Sequence, residues 1–296
     1  MRAKLKALYR RIGRTPVLTY FLLICVSFVF LYPFLYLLIT SLKSPEDLLD
    51  ITVKWVPTRL YAENYAIAYT YLYYWKFFAN SLSVTALGVL GNLLSGSMIA
   101  YGFSRYTFKG RNLLFLLVIL TVIIPVQTII IPMSIQYADL GWANTLLPLI
   151  VPNFFGFGLR GGLYIFVFRQ FFIGLPKELE DAAAIDGCGF VGCFIRIVIP
   201  NAVTVFIMTS LLSVMWYWND TFTSSMFLTN MKTVTVALSG LTSQATLLTG
   251  GASADPFQII TLMQAGSLLC ILPLLLLNLL LQRYFVQGVE RSGIVG

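Results

Sequence analysis

The chain has 296 residues, of which 58% are hydrophobic and 11% charged, and its formal net charge is +8. Soluble domains carry about 25% charged residues, so this composition indicates a membrane protein. The sequence contains no histidine, which excludes His-ligated metals and Ser-His or Cys-His catalysis, and no GxxxxGK[ST] phosphate-binding motif. The four cysteines lack metal-ligand spacing, so no metal site, no catalytic residue and no cofactor bound by this chain are predicted.

Residues 1–16 form a basic tail that holds six of the twenty Lys and Arg residues and no acidic residue. Such a tail before an apolar run is more typical of a membrane-orientation signal than of a polyanion-binding arm, so no nucleic-acid partner is predicted. The apolar run that follows exceeds the about 7–15 residues of a signal-peptide core, and no small-residue cleavage site follows it. It is therefore predicted to remain attached as a membrane span.

Six windows can each hold the about 20 mostly apolar residues that a membrane-spanning helix needs. They are Thr15–Leu42, Phe77–Ser104, Asn112–Ala138, Leu140–Phe168, Ile197–Asn219 and Pro256–Gln282. The stretch Val234–Ala254 is also uncharged, but it is rich in Ser, Thr and Gly and is predicted to be a loop. The predicted fold is an all-α membrane protein with a six-helix domain over residues 17–282 and a C-terminal tail over 283–296.

The distribution of basic residues predicts the orientation of these spans. With the N-terminus inside, the inner segments hold fourteen Lys and Arg residues and the outer segments hold five, with Arg160 set aside. Positive charge favours the cytoplasmic side, so both tails and the loop over residues 169–200 are predicted to be cytoplasmic. The aromatic-rich segments Tyr69–Phe78 and Trp216–Asp220 then face outward, where their rings suit the interfacial belt better than ligand stacking.

The cytoplasmic loop contains the acidic stretch "ELEDAAAIDG", residues 178–187. Pro176 is expected at the first position of a short helix, and acidic residues in the first turns suit its dipole. Three alanines favour helix, and Gly187 is expected to end it in a left-handed conformation. Two interpretations are open: a rigid helix that docks on another protein, or a solvated loop whose acids only keep it out of lipid.

A second amphipathic segment follows, with Phe190, Phe194 and Ile197 at helical spacing, and Pro200 is predicted to open the fifth span. This loop resembles the EAA motif of permease subunits in binding-protein-dependent ABC importers. Five residues match the motif in register, and two depart conservatively, Asp181 for Glu and Ile199 for Leu. The matching residues are Ala182, Ala183, Gly187, Ile197 and Pro200.

The lead-in "FRQFFIGLPKELEDAA", residues 168–183, is similar to the carbohydrate importers, the group that contains the maltose permease MalG. The segments "ENYAIAY", "FFANSL", "WND" and "YFVQGVERSGIVG" extend the likeness along most of the chain. The resemblance implies that the loop is a coupling helix docked on an ATPase subunit. The residues implied in coupling are Glu180, Asp181, Ala182, Ala183, Asp186, Gly187, Ile197 and Pro200.

The resemblance further implies a multi-pass subunit of the bacterial plasma membrane that imports a sugar, oligosaccharide or polyol. Its expected partners are a homologous permease subunit forming a heterodimer, two ATPase subunits that bind ATP and Mg, and an extracytoplasmic solute-binding protein. A peptide or amino-acid permease of the same superfamily is an alternative. A self-sufficient secondary transporter is disfavoured because no window contains a carboxylate.

Candidate residues for the solute pathway are Gln127, Asn153, Arg160, Trp216 and Asn219. Arg160 is the only charged residue inside a window, and either it lines the pathway or it lies at the outer end of a span that begins after it. The polar side chains could equally form interhelical hydrogen bonds. Proline residues at 125, 132, 148 and 152 predict interrupted third and fourth helices, and Gly88 and Gly91 predict close packing of the second.

Overall fold

The computed structural model describes residues 16–185, 187–248 and 255–293, and their regular structure is entirely helical. Most of the predicted N-terminal tail, the coupling candidate Asp186 and the last three residues of the C-terminal tail lie outside this part of the chain. The chain divides into two compact units. Of the described residues, those up to Tyr71 and those within Leu241–Leu269 form the first unit, and those within Leu72–Gly240 and from Cys270 onward form the second.

The first unit is held together by a buried asparagine. Its helices are α1 (Pro16–Ser41), α2 (Pro45–Leu49), α3 (Glu63–Tyr71), α14 (Leu241–Leu248) and the first part of α15 (Pro256–Gly293). The Nδ2 of Asn64 donates to the carbonyls of Ser41 and Lys43 at 2.9 and 2.8 Å, and Thr261 donates to its Oδ1 at 3.3 Å. One amide therefore ties the end of α1 to α3 and α15, which satisfies polar groups that would be costly to bury unpaired.

The second unit is organised around one long helix, α4 (Tyr74–Arg105). The helices that follow are α5 (Arg111–Ile123), α6 (Val126–Asp139), α7 (Leu147–Ile150), α8 (Gly161–Ile173), α9 (Glu178–Ile185), α10 (Phe190–Asn201), α11 (Val203–Asn219), α12 (Phe222–Phe227) and α13 (Val234–Ser239). A 3-10 turn, Val151–Phe155, follows α7 directly.

Small residues allow α4 to approach its neighbours closely, as the sequence predicts. A Cβ added at Gly88 would lie 2.9 Å from the Tyr217 ring, and one at Gly91 would lie 2.8 Å from the Cβ of Asn153. Such close approach of helix backbones is typical of membrane proteins, where van der Waals packing holds helices together. Half of the most apolar window of α4 is buried within the chain, whereas none of the corresponding window of α1 is.

Three described helices are long and apolar enough to cross a membrane, namely α1, α4 and the part of α15 up to Leu281, and two bent pairs raise the number to five. The pair α5 and α6 bends by 99° and the pair α10 and α11 by 81°. The first bend falls at Ile124 and Pro125, since the residue before a proline avoids the helical region. The predicted interruption of the third helix is therefore confirmed.

The fourth window is also interrupted, as predicted. It contains α7, the 3-10 turn and then α8, which has only 13 residues. Gly156 and Arg160 adopt left-handed backbone conformations with φ of 73° and 58°, and they separate the 3-10 turn from α8. By contrast, α15 is longer than its window and continues past the predicted boundary at residue 282 to Gly293.

The prediction of a loop over Val234–Ala254 is wrong for most of that stretch. It contains α13 and α14. The hydroxyl of Thr233 accepts the N–H of Val236 as a helix cap, and the hydroxyl of Ser81 accepts the N–H of Val234 at 2.8 Å. The Ser239 hydroxyl donates to the carbonyl of Val236. The polar side chains of this stretch therefore bond to its own backbone, and the stretch forms helices despite its polar composition.

Candidate functional site

The loop over residues 169–200 folds into a short helix with a glycine cap. α9 has eight residues, and the carbonyl of Lys177 accepts the N–H groups of Glu180 and Asp181 at its start. The prediction that Pro176 occupies the first position of the helix is wrong, since it lies two residues before α9 begins. Gly187 has the expected left-handed conformation, with φ of 81°, and its N–H donates to Ala184 at 3.0 Å.

Glu180 is anchored to the C-terminal end of α4. Its Oε1 accepts the Nε of Arg105 at 2.7 Å, and its Oε2 accepts the hydroxyl of Tyr101 at 2.8 Å. The Nη2 of Arg105 also donates to the carbonyl of Leu175 at 3.0 Å. The side chains of Arg105 and Glu180 are only 8% and 12% exposed, so this ion pair is largely shielded from water.

Aromatic residues pack around Tyr101, the second partner of Glu180. Tyr101 is 1% exposed, and its ring centroid lies 5.1 Å from that of Phe190, 5.2 Å from Phe194 and 6.2 Å from Phe172. These rings come from α8 and α10, the helices that precede and follow α9. We call Tyr101, Arg105 and Glu180 the loop anchor.

The opposite side of α9 is open. Asp181 and Ala182 are exposed, Ala183 is half-buried, and Ile185 at the end of the helix is 88% exposed. The open side of α9 thus carries one strongly exposed apolar side chain beside the exposed carboxylate of Asp181. Ile185 is not among the coupling residues predicted from the sequence, although it lies within the acidic stretch of residues 178–187.

The remaining predicted coupling residues lie around α10. Ile197 is half-buried within a π-helical segment, Phe194–Val198, and Gly187 is exposed. The prediction that Pro200 opens the fifth span is wrong. Pro200 lies inside α10, and the chain bends after it, at Ala202, where α11 begins one residue later. A π-helical segment before Pro200 relaxes the backbone where the proline cannot donate a hydrogen bond.

Two of the predicted pathway residues form a contact. The guanidinium carbon of Arg160 lies 3.5 Å above the centre of the Trp216 ring, and both side chains are exposed. Arg160 immediately precedes α8, in a left-handed conformation that is uncommon for residues with a side chain. Asn219 is exposed one turn beyond Trp216, and Gln127 is exposed in the first turn of α6.

Asn153 lies elsewhere, inside a buried network. Its Nδ2 donates to the carbonyls of Leu149 and Ile150, and its Oδ1 accepts the hydroxyl of Tyr217. Asn92 in turn donates to the Tyr217 hydroxyl at 3.0 Å, and Ser95 donates to the carbonyl of Asn153 at 2.5 Å. We call Asn92, Ser95, Asn153 and Tyr217 the core network; in this structure they provide interhelical hydrogen bonds.

The sequence could have indicated part of these two clusters. Tyr101 and Arg105 are four residues apart on α4, which places them on one helix face. Tyr217 lies between two tryptophans in a segment predicted to be interfacial, and nothing in the sequence distinguishes it as a buried hydrogen-bonding residue. Within the described residues, no group of three or more His, Cys, Asp or Glu side chains is placed to hold a metal ion.

Comparison with known proteins decides the family. The model of the family described as "Binding-protein-dependent transport system inner membrane component" matches residues 91–291. The chain belongs to this family. It is thus a multi-pass subunit of the plasma membrane and a permease, a membrane component as opposed to a catalytic subunit. Membership of this ABC permease family implies a transport complex with ATPase and binding-protein partners.

The permease has relatives of nearly equal length. It is 32% identical to the arabinooligosaccharides transport system permease AraQ of Halalkalibacterium halodurans, over 95% of this chain and 98% of the relative. It is 30% identical to the osmoprotective compounds uptake permease GgtD of Synechocystis, over 92% and 90%. Its fold matches a bacterial ABC transporter involved in the import of the acidic polysaccharide alginate, with a TM-score of 0.77, 20% identity and coverage of 93% and 98%.

Proposed function

We propose that this permease moves a sugar, oligosaccharide or polyol inward across the plasma membrane, driven by ATP hydrolysis on separate subunits. The observation that carries the proposal is the full-length similarity to an arabinooligosaccharide permease. A heterodimer with a homologous permease subunit, two ATPase subunits and an extracytoplasmic binding protein complete the proposed assembly. ATP and Mg would bind to the ATPases, and this chain would bind neither.

The proposed topology has six spans with both tails in the cytoplasm. α1, α4 and α15 are three of them, and each bent pair forms another. α8 is about 20 Å long, shorter than the about 30 Å of a bilayer core, so the fourth span would include the turn and α7 before it. The excess of basic residues in the inner segments supports the orientation.

The proposed coupling helix is α9. Its eight residues are too few and too acidic to enter a bilayer, and its open side presents Asp181, Ala182 and Ile185. We assign ATPase docking to this side, with Gly187 as the cap that stops the helix. Glu180 faces the opposite way, so its role would be to hold α9 in place and not to touch the ATPase.

The proposed solute pathway is lined by Arg160, Trp216 and Asn219. The three are exposed in this chain, and the guanidinium and indole together present donors and a flat apolar face, both of which suit a hydroxylated ring. Gln127 is a further exposed candidate on α6. Asn153 is excluded from direct contact with solute as long as its amide remains fully bonded in the core network.

The docking proposal is tested by replacing Ile185. In Ile185→Asp, the exposed apolar tip becomes a carboxylate, and we expect the ATPase subunits no longer to co-purify with the tagged permease. Ile185→Val is the matched control, since it keeps an apolar side chain, and it should retain them. Full retention of the ATPases and of transport by Ile185→Asp would show that this side of α9 is not the docking surface.

The solute class is tested by uptake in cells that carry the complete transporter. Labelled arabino-oligosaccharides, gluco-oligosaccharides and polyols are compared with labelled peptides and amino acids, with and without the transporter. We expect transporter-dependent uptake of at least one carbohydrate. Uptake confined to peptides or amino acids would contradict the carbohydrate proposal and leave the family unaffected.

A further inference from the structure

We infer that the loop anchor is the mechanical connection through which movement of α9 is passed to α4. This inference rests on the proposed docking of α9 on an ATPase. Docking by itself explains how α9 is moved, but not which part of the permease follows it. In this chain the anchor joins α9 to α4 through side chains that are almost completely buried.

The loop is attached to Arg105 of α4 at two points. The guanidinium of Arg105 holds Glu180 through Nε and the carbonyl of Leu175 through Nη2, on either side of the start of α9. Tyr101 holds the second carboxylate oxygen of Glu180. Two points on the loop attached to one rigid guanidinium restrict rotation of the loop relative to α4, whereas a single contact would allow it to pivot.

The hydrogen bonds that connect α9 to α4 are strong. Hydrogen bonds between charged groups are shorter and stronger than neutral ones, and shielding from water increases their strength further. The side chains of Arg105 and Glu180 are 8% and 12% exposed, and the Tyr101 that binds the carboxylate is itself packed among aromatic rings. Separation of α9 from α4 would leave two buried charges without partners, so the two elements are expected to move together.

α4 connects the loop anchor to the residues proposed to line the solute pathway. From Arg105 the helix runs 13 residues back to Asn92, about 20 Å at the rise of an α-helix. Asn92 bonds to Tyr217 on α11, and Trp216, adjacent to Tyr217, contacts Arg160. A displacement of α9 that is transmitted to α4 therefore reaches the residues proposed to line the pathway through one continuous helix and one buried hydrogen bond.

The test uses Glu180→Gln in the complete transporter, with Glu178→Gln as the matched control. Glu178 lies on the same helix, is exposed, and takes part in none of the anchor contacts. The readout is the reactivity of Asn219→Cys, placed in a chain whose four native cysteines are replaced by alanine, toward a membrane-impermeant thiol reagent. The labelling rate is measured with and without ATP, Mg and vanadate, so no knowledge of the solute is needed.

With Glu180 intact, we expect trapping of the ATPases with vanadate to change the labelling rate. In Glu180→Gln the ATPases should still co-purify, but the nucleotide-dependent change should shrink severalfold, because glutamine keeps an acceptor oxygen for Arg105 and loses the charge that strengthens this hydrogen bond. Glu178→Gln should keep the full change. A merely structural role for Glu180 would reduce co-purification and leave the change intact in the complexes that still assemble.

A full labelling change in Glu180→Gln would overturn the inference. If Glu180→Gln does not fold, Tyr101→Phe decides instead, because it removes one hydroxyl from the anchor and leaves the ion pair; we expect about a threefold smaller change, and an unaltered one would again overturn the inference. Failure of the ATPases to co-purify with the unaltered permease would instead contradict the proposed docking, so the two failures are distinguishable.

Discussion

The middle of α4 and its C-terminal end both carry buried polar groups, but the contacts of these groups differ. In the middle, Asn92 and Ser95 join the core network through neutral hydrogen bonds to Tyr217 on α11 and Asn153 in the 3-10 turn, both of which pack against α4. At the end, Arg105 forms an ion pair with Glu180 on a separate eight-residue helix.

Neutral hydrogen bonds and the ion pair have different roles in this permease. Neutral hydrogen bonds between closely packed backbones hold helices in one arrangement, and small residues such as Gly88 and Gly91 make that approach possible. An ion pair to a short external helix connects the membrane domain to a segment that it does not enclose. We therefore expect substitutions in the middle of α4 to affect folding, and those at its end to affect coupling.

The largest effect is expected for Gly91→Leu. The new side chain would overlap the Cβ of Asn153, 2.8 Å from the position of its first carbon, and overpacking of this kind costs about 3 kcal/mol or more at a rigid contact. The measurement is the yield and thermal unfolding of the purified permease in detergent. Gly102→Leu is the control, because a Cβ at Gly102 on the same helix meets nothing within 4 Å; equal loss in both variants would refute the packing argument.

Tyr217→Phe is expected to have an intermediate effect. Loss of the hydroxyl removes a donor to Asn153 and an acceptor for Asn92, which leaves buried amide groups short of partners at a cost of about 1–3 kcal/mol. Thermal unfolding should shift downward, whereas the ATPases should still co-purify. An unchanged unfolding temperature would mean that water or a neighbouring group replaces the hydroxyl, and would remove the distinction between the two regions of α4.

The smallest effect on stability is expected for Arg160→Gln. This side chain belongs to neither cluster, and its cation–π contact with Trp216 is exposed, so its loss should cost about 0.5–1 kcal/mol. Uptake of the transported carbohydrate should nevertheless fall, because the proposed pathway loses its charged donor. Normal uptake by Arg160→Gln would favour the alternative that Arg160 only marks the outer end of a span.

Much of the structure of the loop over residues 169–200 could be predicted because its signals are local. A short acidic helix ended by a left-handed glycine follows from propensity, dipole and backbone freedom within about ten residues, and Gly187 adopts the expected conformation. The partner of Glu180 could not be predicted in this way, because Arg105 lies 75 residues away in the chain. For the same reason Asn153 could not be separated from a pathway residue until its contact with Tyr217, 64 residues away, was known.

The sequence by itself determined that this is a helical membrane protein, where its apolar windows lie and which loop carries the acidic helix. These properties depend on composition and on spacing along the chain, which hydrophobicity and charge express directly. Only the tertiary structure decided that Glu180 faces α4 while Ile185 faces outward, that Asn153 is enclosed, and that the Thr-rich stretch from Val234 begins as a helix. Each of those outcomes depends on a partner that is distant in the chain and close in space.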